Sequence, residues 1–294
     1  MKTKFKKILA KDGLELHGLH FMPDEKSNKA IIHIHGLSGN FYENQFLVNM
    51  AEEYTNMGIH FLVFNNRGHD YISDNVQITN KHREFVNGGG AYEVFSECAF
   101  DVMGVYDYMQ SCEIVYFCLQ GHSMGCNKTI YSIYKHKEYF DNLCGIILLS
   151  PCDGIGLMEH NYGKSFSQSL EQAKKLLEQG KKDVFVNQEA GLPLMSAFTY
   201  VDHYKVNGDH DIFPYRDPQA DFKAVRSIEV PIFVGIGSED EYIVDSTQST
   251  IDILKANTTS PNFGSTVISG ASHDYAGHEQ KLIEEIINWL KNIF

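Results

Sequence analysis

The stretch Cys118-Leu119-Gln120-Gly121-His122-Ser123-Met124-Gly125-Cys126-Asn127-Lys128 constrains this chain more than any other. It reads as a strand running into a Gly-x-Ser-x-Gly turn and then a helix, an arrangement that presents a serine as a nucleophile. The five letters alone also describe an ordinary glycine-rich turn with a surface serine, so the setting decides. Before the turn, Glu113-Ile114-Val115-Tyr116-Phe117-Cys118-Leu119 is a short apolar run suited to a buried parallel strand. After it, Ile130, Ile133 and Tyr134 recur at helical spacing within Asn127–Lys135. Gly121 and Gly125 have a physical reason: a sharp strand-to-helix turn strains its central residue and draws the helix close behind it.

The chain on either side repeats that alternation. Phe5–Ala10 and Leu14–Met22 read as two strands joined at Asp12-Gly13, a hairpin signal. Ala30–Ile34 is an apolar strand ending in His35-Gly36-Leu37, and Phe46, Leu47, Met50, Ala51 and Tyr54 share one helical face before Gly58. Ile59–Phe64 is a buried strand. The polar segment Tyr71–Gly90 shows no period and reads as a surface loop bordering the site. A helix over about Tyr92–Met109, the nucleophile strand and its helix, and the strand Leu143–Ser150 follow. This is the pattern of a mostly parallel sheet with helices on both faces. After Pro151 the rhythm breaks, with an amphipathic helix near Ser167–Gln179 and the aromatics Phe198, Tyr200, Tyr204, Phe213 and Tyr215. It resumes with a strand over Ile228–Gly237, a helix near Ser246–Ala256, a strand near Ser265–Ser269 and a helix over Glu279–Phe294. Residues 1–152 and 227–294 therefore form the expected core, and 153–226 an insertion expected to cap the site; a second packing layer away from substrate is the alternative.

Composition removes several function classes. A net charge of −13 over 294 residues argues against a nucleic-acid groove or an anionic membrane surface, both of which demand a basic face. A small neutral or cationic partner suits it better. Cys98, Cys112, Cys118, Cys126, Cys144 and Cys152 lie scattered in apolar segments, without zinc spacing or a Cys-x-x-Cys pair, and read as reduced core thiols. Neither an export segment nor an apolar run of spanning length is expected, which places the protein in the cytoplasm without a stable membrane anchor. No metal or cofactor is expected. The oligomeric state, a homodimer included, is left open.

With strand, turn and helix in this order, the chain resembles a serine hydrolase of the α/β-hydrolase superfamily, esterase- or lipase-like, over nearly its whole length apart from the insertion. The resemblance implies the α/β-hydrolase fold and a triad in the order nucleophile, acid, histidine. Ser123 matches the nucleophile, whose hydroxyl needs an adjacent base. His273, in Gly270-Ala271-Ser272-His273-Asp274-Tyr275 after the last strand, matches that base, with His278 as the rival. Asp240, in Gly237-Ser238-Glu239-Asp240-Glu241, matches the acid that orients the histidine, with Asp153 as the alternative and a solvated acidic loop as the plain reading. The oxyanion donors implied are the backbone N–H groups of Leu37 and Met124. His33 and His35 read as satisfied core histidines, and Arg67 as structural.

The expected activity is hydrolysis of carboxylic esters of small to medium acyl or aromatic acids through an acyl-enzyme, with a small-molecule ester as partner. The same parts suit a thioesterase or an amidase, and a non-catalytic small-ligand binder on this fold is the reading of a different class.

Overall fold

In the computed structural model, which describes residues 1–80, 82–186 and 192–294, the chain builds one ten-stranded sheet. The strands are β1 (Lys2–Leu9), β2 (Leu14–Met22), β3 (Lys29–Ile34), β4 (His60–Phe64), β5 (Ser73–Thr79), β6 (His82–Gly88), β7 (Tyr116–His122), β8 (Leu143–Leu149), β9 (Ile232–Gly237) and β10 (Phe263–Ile268). Their order is β10-β9-β8-β7-β3-β4-β2-β5-β6, with β1 paired to β2. From β10 to β4 every pairing is parallel, and from β4 through β2, β5 and β6 it is antiparallel.

The parallel strands are continuous apolar runs because both faces are covered. Alternate residues pack in opposite directions: Ile32, Leu119, Ile146 and Val234 join one core, while Ile31, Cys118, Ile147 and Phe233 join the other. The first core takes buried faces of α2 (Cys98–Ser111), α3 (Met124–Lys135) and α7 (Thr247–Ala256); the second takes α1 (Gln45–Asn56) and α8 (Glu279–Leu290). Each fully buried Leu or Ile contributes about 1.5–3 kcal/mol relative to an exposed one, so the alternation fixes register strongly. The result is the expected α/β-hydrolase fold, with the loops that carry the site at the carboxyl ends of β3, β7, β8, β9 and β10.

Several segments differ from the sequence reading: the helix expected from Tyr92 starts at Cys98 after a short 3-10 turn, and the strand expected from Ile228 starts at Ile232. Residues 73–88 are not a loop but the hairpin β5–β6, paired from Ser73↔Gly88 to Thr79↔His82, while Lys81 lies outside the described residues. Its strands are polar and largely exposed, with Phe85 itself 81% exposed, so no hydrophobic period marks them. The strand before Ser123 starts at Tyr116, not Glu113, because Glu113 (φ 64°) turns in the left-handed region after α2, and it runs on through His122. The helix expected near 167–179 is instead α4 (Gly154–Glu178), helical on both sides of a kink at Gly163.

Between β8 and β9 the chain runs through α4, α5 (Ala197–His203) and α6 (Lys223–Arg226). Residues 187–191 of the expected insertion lie outside the described residues. Ile155, Met158, Phe166, Met195, Tyr200 and Tyr204 of this region form a cluster of their own, against which Leu37 also packs. Among the described residues, no helix is long and apolar enough to cross a membrane. All six cysteines are free thiols, four of them buried.

Candidate active site

Ser123 stands between the last residue of β7 and the first of α3, at φ 56° and ψ −130°. A serine rarely adopts this conformation, and such strain persists only where the surroundings over-determine it. Here they do. A Cβ at Gly121 would lie 2.4 Å from the Gly125 carbonyl oxygen, and one at Gly125 would lie 2.0 Å from that of Ile34. Only glycines let α3 start so close to β3 and β7. The Ser123 N–H donates to the Leu149 carbonyl at 2.9 Å, tying the turn to β8.

His273 and Asp240 arrive from the loops after β10 and β9. The His273 Nδ1 is 2.9 Å from Asp240 Oδ1, and the Asp240 side chain is fully buried. Burial by itself would raise the Asp240 carboxyl, but the hydrogen bond and charge of His273 outweigh it and hold the group below its usual value. Since the carboxylate accepts, Nδ1 donates the hydrogen of that bond, and Nε2 is left for other partners. The loop is clamped from several sides: the His273 N–H donates to Glu241 Oε2 at 3.1 Å, and the Tyr242 ring lies 4.2 Å from the imidazole. His122 donates from Nε2 to the His273 carbonyl at 2.9 Å.

Ser123, His273, Leu37 and Met124 line one cavity of about 560 Å³, and Asp240 sits directly behind the histidine. Met124 opens α3, so its N–H has no partner within the helix. Gly36 packs so tightly there that a Cβ would lie 2.9 Å from Ser123 Cβ and 3.2 Å from the Met124 nitrogen. This brings the β3 loop carrying Leu37 against the serine turn.

The rival residues are engaged elsewhere. His278 bonds the Ala276 carbonyl at 3.2 Å and does not line the cavity. Asp153 caps α4 through the Gly156 N–H at 2.8 Å and pairs with Arg216 at 2.6 Å. His33 accepts from Gln120, and His35 accepts the Asn66 N–H on Nε2 while donating from Nδ1 to the Gly36 carbonyl. Burial lowers both rings, His35 to about 3, so both are neutral; His35 is bonded on both nitrogens as a satisfied core histidine, whereas His33 Nε2 is buried without a partner among the described residues. Arg67 is structural too, bonding Asp101 through Nε at 3.1 Å and Nη2 at 2.8 Å.

Several cavity residues escape sequence reasoning. Tyr204 and Tyr71, from the stretches expected to cap and to border the site, supply apolar wall together with Leu157 and Met158 of α4, which no pattern marks, while Asn127, His203 and His210 supply a polar one. They come from separate elements, and nothing in their spacing announces the meeting. Of the five aromatics noted after Pro151, Tyr204 lines the cavity, whereas Tyr200 and Phe213 are core, Tyr215 packs between Phe213 and Phe222, and Phe198 is exposed. Cys152 lies beside the Ser123 hydroxyl, and burial pushes its thiol up to about 12, keeping it protonated.

A family model described as "Protein of unknown function (DUF1749)" matches residues 101–291, more than half of the chain. No curated protein matches the sequence. Among solved structures, the chain is similar to Est1E from Butyrivibrio proteoclasticus bound to ferulic acid: TM-score 0.66, 16% identity, covering 98% of this chain and 99% of the other. A highly thermostable carboxyl esterase from Bacillus coagulans in complex with glycerol aligns with TM-score 0.67 at 12% identity, covering 100% and 99%. The Pyrococcus furiosus esterase Pf2001 aligns with TM-score 0.60 at 18% identity, covering 99% and 91%. At these identities the likeness establishes the shared fold.

Proposed function

This chain belongs to the DUF1749 family and has the α/β-hydrolase fold, and from that premise we propose that it is a serine hydrolase of carboxylic esters. The carrying observation is the strained Ser123 turn sharing a cavity with a histidine whose Nδ1 is held 2.9 Å from a buried carboxylate. In this reading the lone pair on His273 Nε2 takes the Ser123 proton as the hydroxyl attacks the ester carbonyl. Asp240 keeps that tautomer and stabilises the imidazolium that forms. The backbone N–H groups of Leu37 and Met124 receive the oxyanion, a type of contact worth about 10²–10³-fold in kcat per donor. His273 then protonates the leaving alcohol, and water, deprotonated by the same ring, releases the acid from the acyl-enzyme.

Residues 153–226 act as a cap, since Leu157, Met158 and Tyr204 from this stretch line the same cavity as Ser123. Its volume of about 560 Å³ and its apolar wall suit small to medium acyl or aromatic acids, in keeping with an esterase of the same fold that holds ferulic acid. Six free thiols suit a reducing compartment such as the cytoplasm.

A fluorophosphonate probe with mass-spectrometric mapping, run beside a panel of p-nitrophenyl esters, tests the reading. Labelling at Ser123, and loss of both labelling and turnover in Ser123→Ala, is expected. Full turnover by a folded Ser123→Ala protein, or no labelling of the folded wild type, would overturn it.

A further inference from the structure

The cavity has a second chemical face that the proposed reaction does not use. Asn127 lies on α3 four residues after Ser123, one helical turn and roughly 6 Å along the axis. Its amide nitrogen donates to the His210 carbonyl at 2.9 Å, which leaves Oδ1 as an acceptor. On α5, His203 donates from Nδ1 to the Thr199 carbonyl at 3.0 Å, which leaves Nε2 for another partner. His210 lies with its ring 5.1 Å from that of His203 and edge-on to Phe95. Asn127 Oδ1, His203 Nε2 and His210 Nδ1 are all buried, and among the described residues none has a hydrogen-bond partner. All three side chains line the cavity that holds Ser123.

Three such atoms in side chains that line one cavity are costly unless something answers them. The groups behind the wall say what kind of group that is. Glu93 and Lys128, both fully buried, pair at 2.6 Å, and Lys128 also donates to Asn66 at 3.1 Å. The pair is neutral as a unit, and the nearest Glu93 oxygen is 3.9 Å from His203 Nε2, too far for a hydrogen bond. Burial lowers His210 to about 3, so that ring brings no charge at neutral pH. An anion would meet the Asn127 amide oxygen with the Glu93 carboxylate behind the wall. A cation would gain no unpaired counter-charge for its desolvation. A neutral donor answers the Asn127 oxygen without bringing a charge to be desolvated.

We infer that Asn127, His203 and His210 form a subsite for a hydroxyl group, so that the ester cleaved carries a hydroxyl a few bonds from its carbonyl, in either the acyl or the alcohol part. The identity of the reacting bond rests on the serine-hydrolase reading; the subsite rests on the unpaired atoms alone. An ester lacking the hydroxyl leaves those atoms unanswered, which corresponds to about 10–100-fold in kcat/KM.

The test compares methyl 6-hydroxyhexanoate with methyl hexanoate, and 6-hydroxyhexyl acetate with hexyl acetate, by kcat/KM on the wild-type protein and by calorimetric titration of Ser123→Ala. Preference for the hydroxylated member of at least one pair, falling towards unity in Asn127→Leu and His203→Phe proteins of normal melting temperature, is expected. Equal or weaker use and binding of both hydroxylated esters would overturn the subsite, and this result needs no variant at the wall. Phosphonate labelling of Ser123 separates the two ideas. Labelling without hydroxyl preference sinks the subsite and leaves the hydrolase reading standing. Tighter binding of a hydroxylated ester without labelling or turnover sinks the hydrolase reading and leaves the subsite.

Discussion

His122, the residue before the nucleophile, donates a 2.9 Å hydrogen bond from Nε2 to the backbone carbonyl of His273, and the two rings lie 4.9 Å apart. The serine turn and the histidine loop are thereby joined directly, not only through the sheet. Burial, then the neighbouring His273, lowers His122 to about 4, so the ring donates as a neutral imidazole at working pH.

His122 is therefore a positioning residue, and His122→Phe keeps the ring volume while removing the bond. Because a base displaced by about 1 Å can cost around 10²-fold, kcat on a p-nitrophenyl ester is expected to fall about 10–100-fold with KM nearly unchanged. Steady-state kinetics check this. A variant with kcat within a factor of two of wild type would show that the loop holds itself.

The glycines of the turn make a separate prediction. Gly125→Ala would drive a methyl to 2.0 Å from the Ile34 carbonyl oxygen, backbone against strand, so α3 must move off β3. Overpacking of this kind costs about 1–3 kcal/mol and displaces the Ser123 turn, so both the urea midpoint and the turnover should drop. Gly58→Ala is the contrast, with nothing within 4 Å and only a positive φ of 74° to resist it. It should cost about 1 kcal/mol and leave turnover intact.

Which parts of this arrangement the sequence displays follows from the range of the forces involved. Strands such as Ile146–Leu149 bury both faces, so their apolar runs are visible locally, and Ser123 and Asp240 are visible because each follows such a strand, whereas His273 follows the partly exposed edge strand β10 and is marked by its loop. The β5–β6 hairpin is held by ladder hydrogen bonds between polar, exposed residues, which leave no hydrophobic pattern. The His122 bond spans 151 residues, and the Asn127–His210 bond spans 83. Neither has any local signature, so the clamp on the base and the polar wall emerge only in three dimensions. The length of α4 was obscured by Gly163 at φ 42°, where the helix kinks.

Arg67 carries a prediction about stability alone. It binds Asp101, fully buried, through two guanidinium bonds and also reaches Asp12 at 2.9 Å. Arg67→Ala leaves the Asp101 carboxylate buried without its counter-charge, a loss of about 3–5 kcal/mol. Arg67→Lys should recover only part of it, because an ammonium lacks the planar fork. Urea unfolding of the single variants and of the Arg67→Ala/Asp101→Ala pair checks this. The double variant should cost less than the sum of its parts, and strict additivity would refute the coupling.

Acid sensitivity follows from the buried histidines. Burial is the largest cause lowering His20 and His122 to about 4 and His35 and His210 to about 3, and it lowers His33 as well. In the unfolded chain these rings titrate near 6.5, so on acidification the unfolded state takes up protons first. Each ring then removes about 1.4 kcal/mol of stability per pH unit between 6.5 and its folded value, and the contribution is fully present only above that window. Glu93, held at about 2 against burial by Lys128, acts in the same direction below about pH 4.5. The unfolding free energy from urea titrations should be nearly flat from pH 8 to 7 and fall steeply from pH 6 to 5. His20→Gln should reduce that slope by about one proton's worth, 1.4 kcal/mol per pH unit. A wild-type slope below one proton between pH 6 and 5 would mean that these rings are charged in the fold.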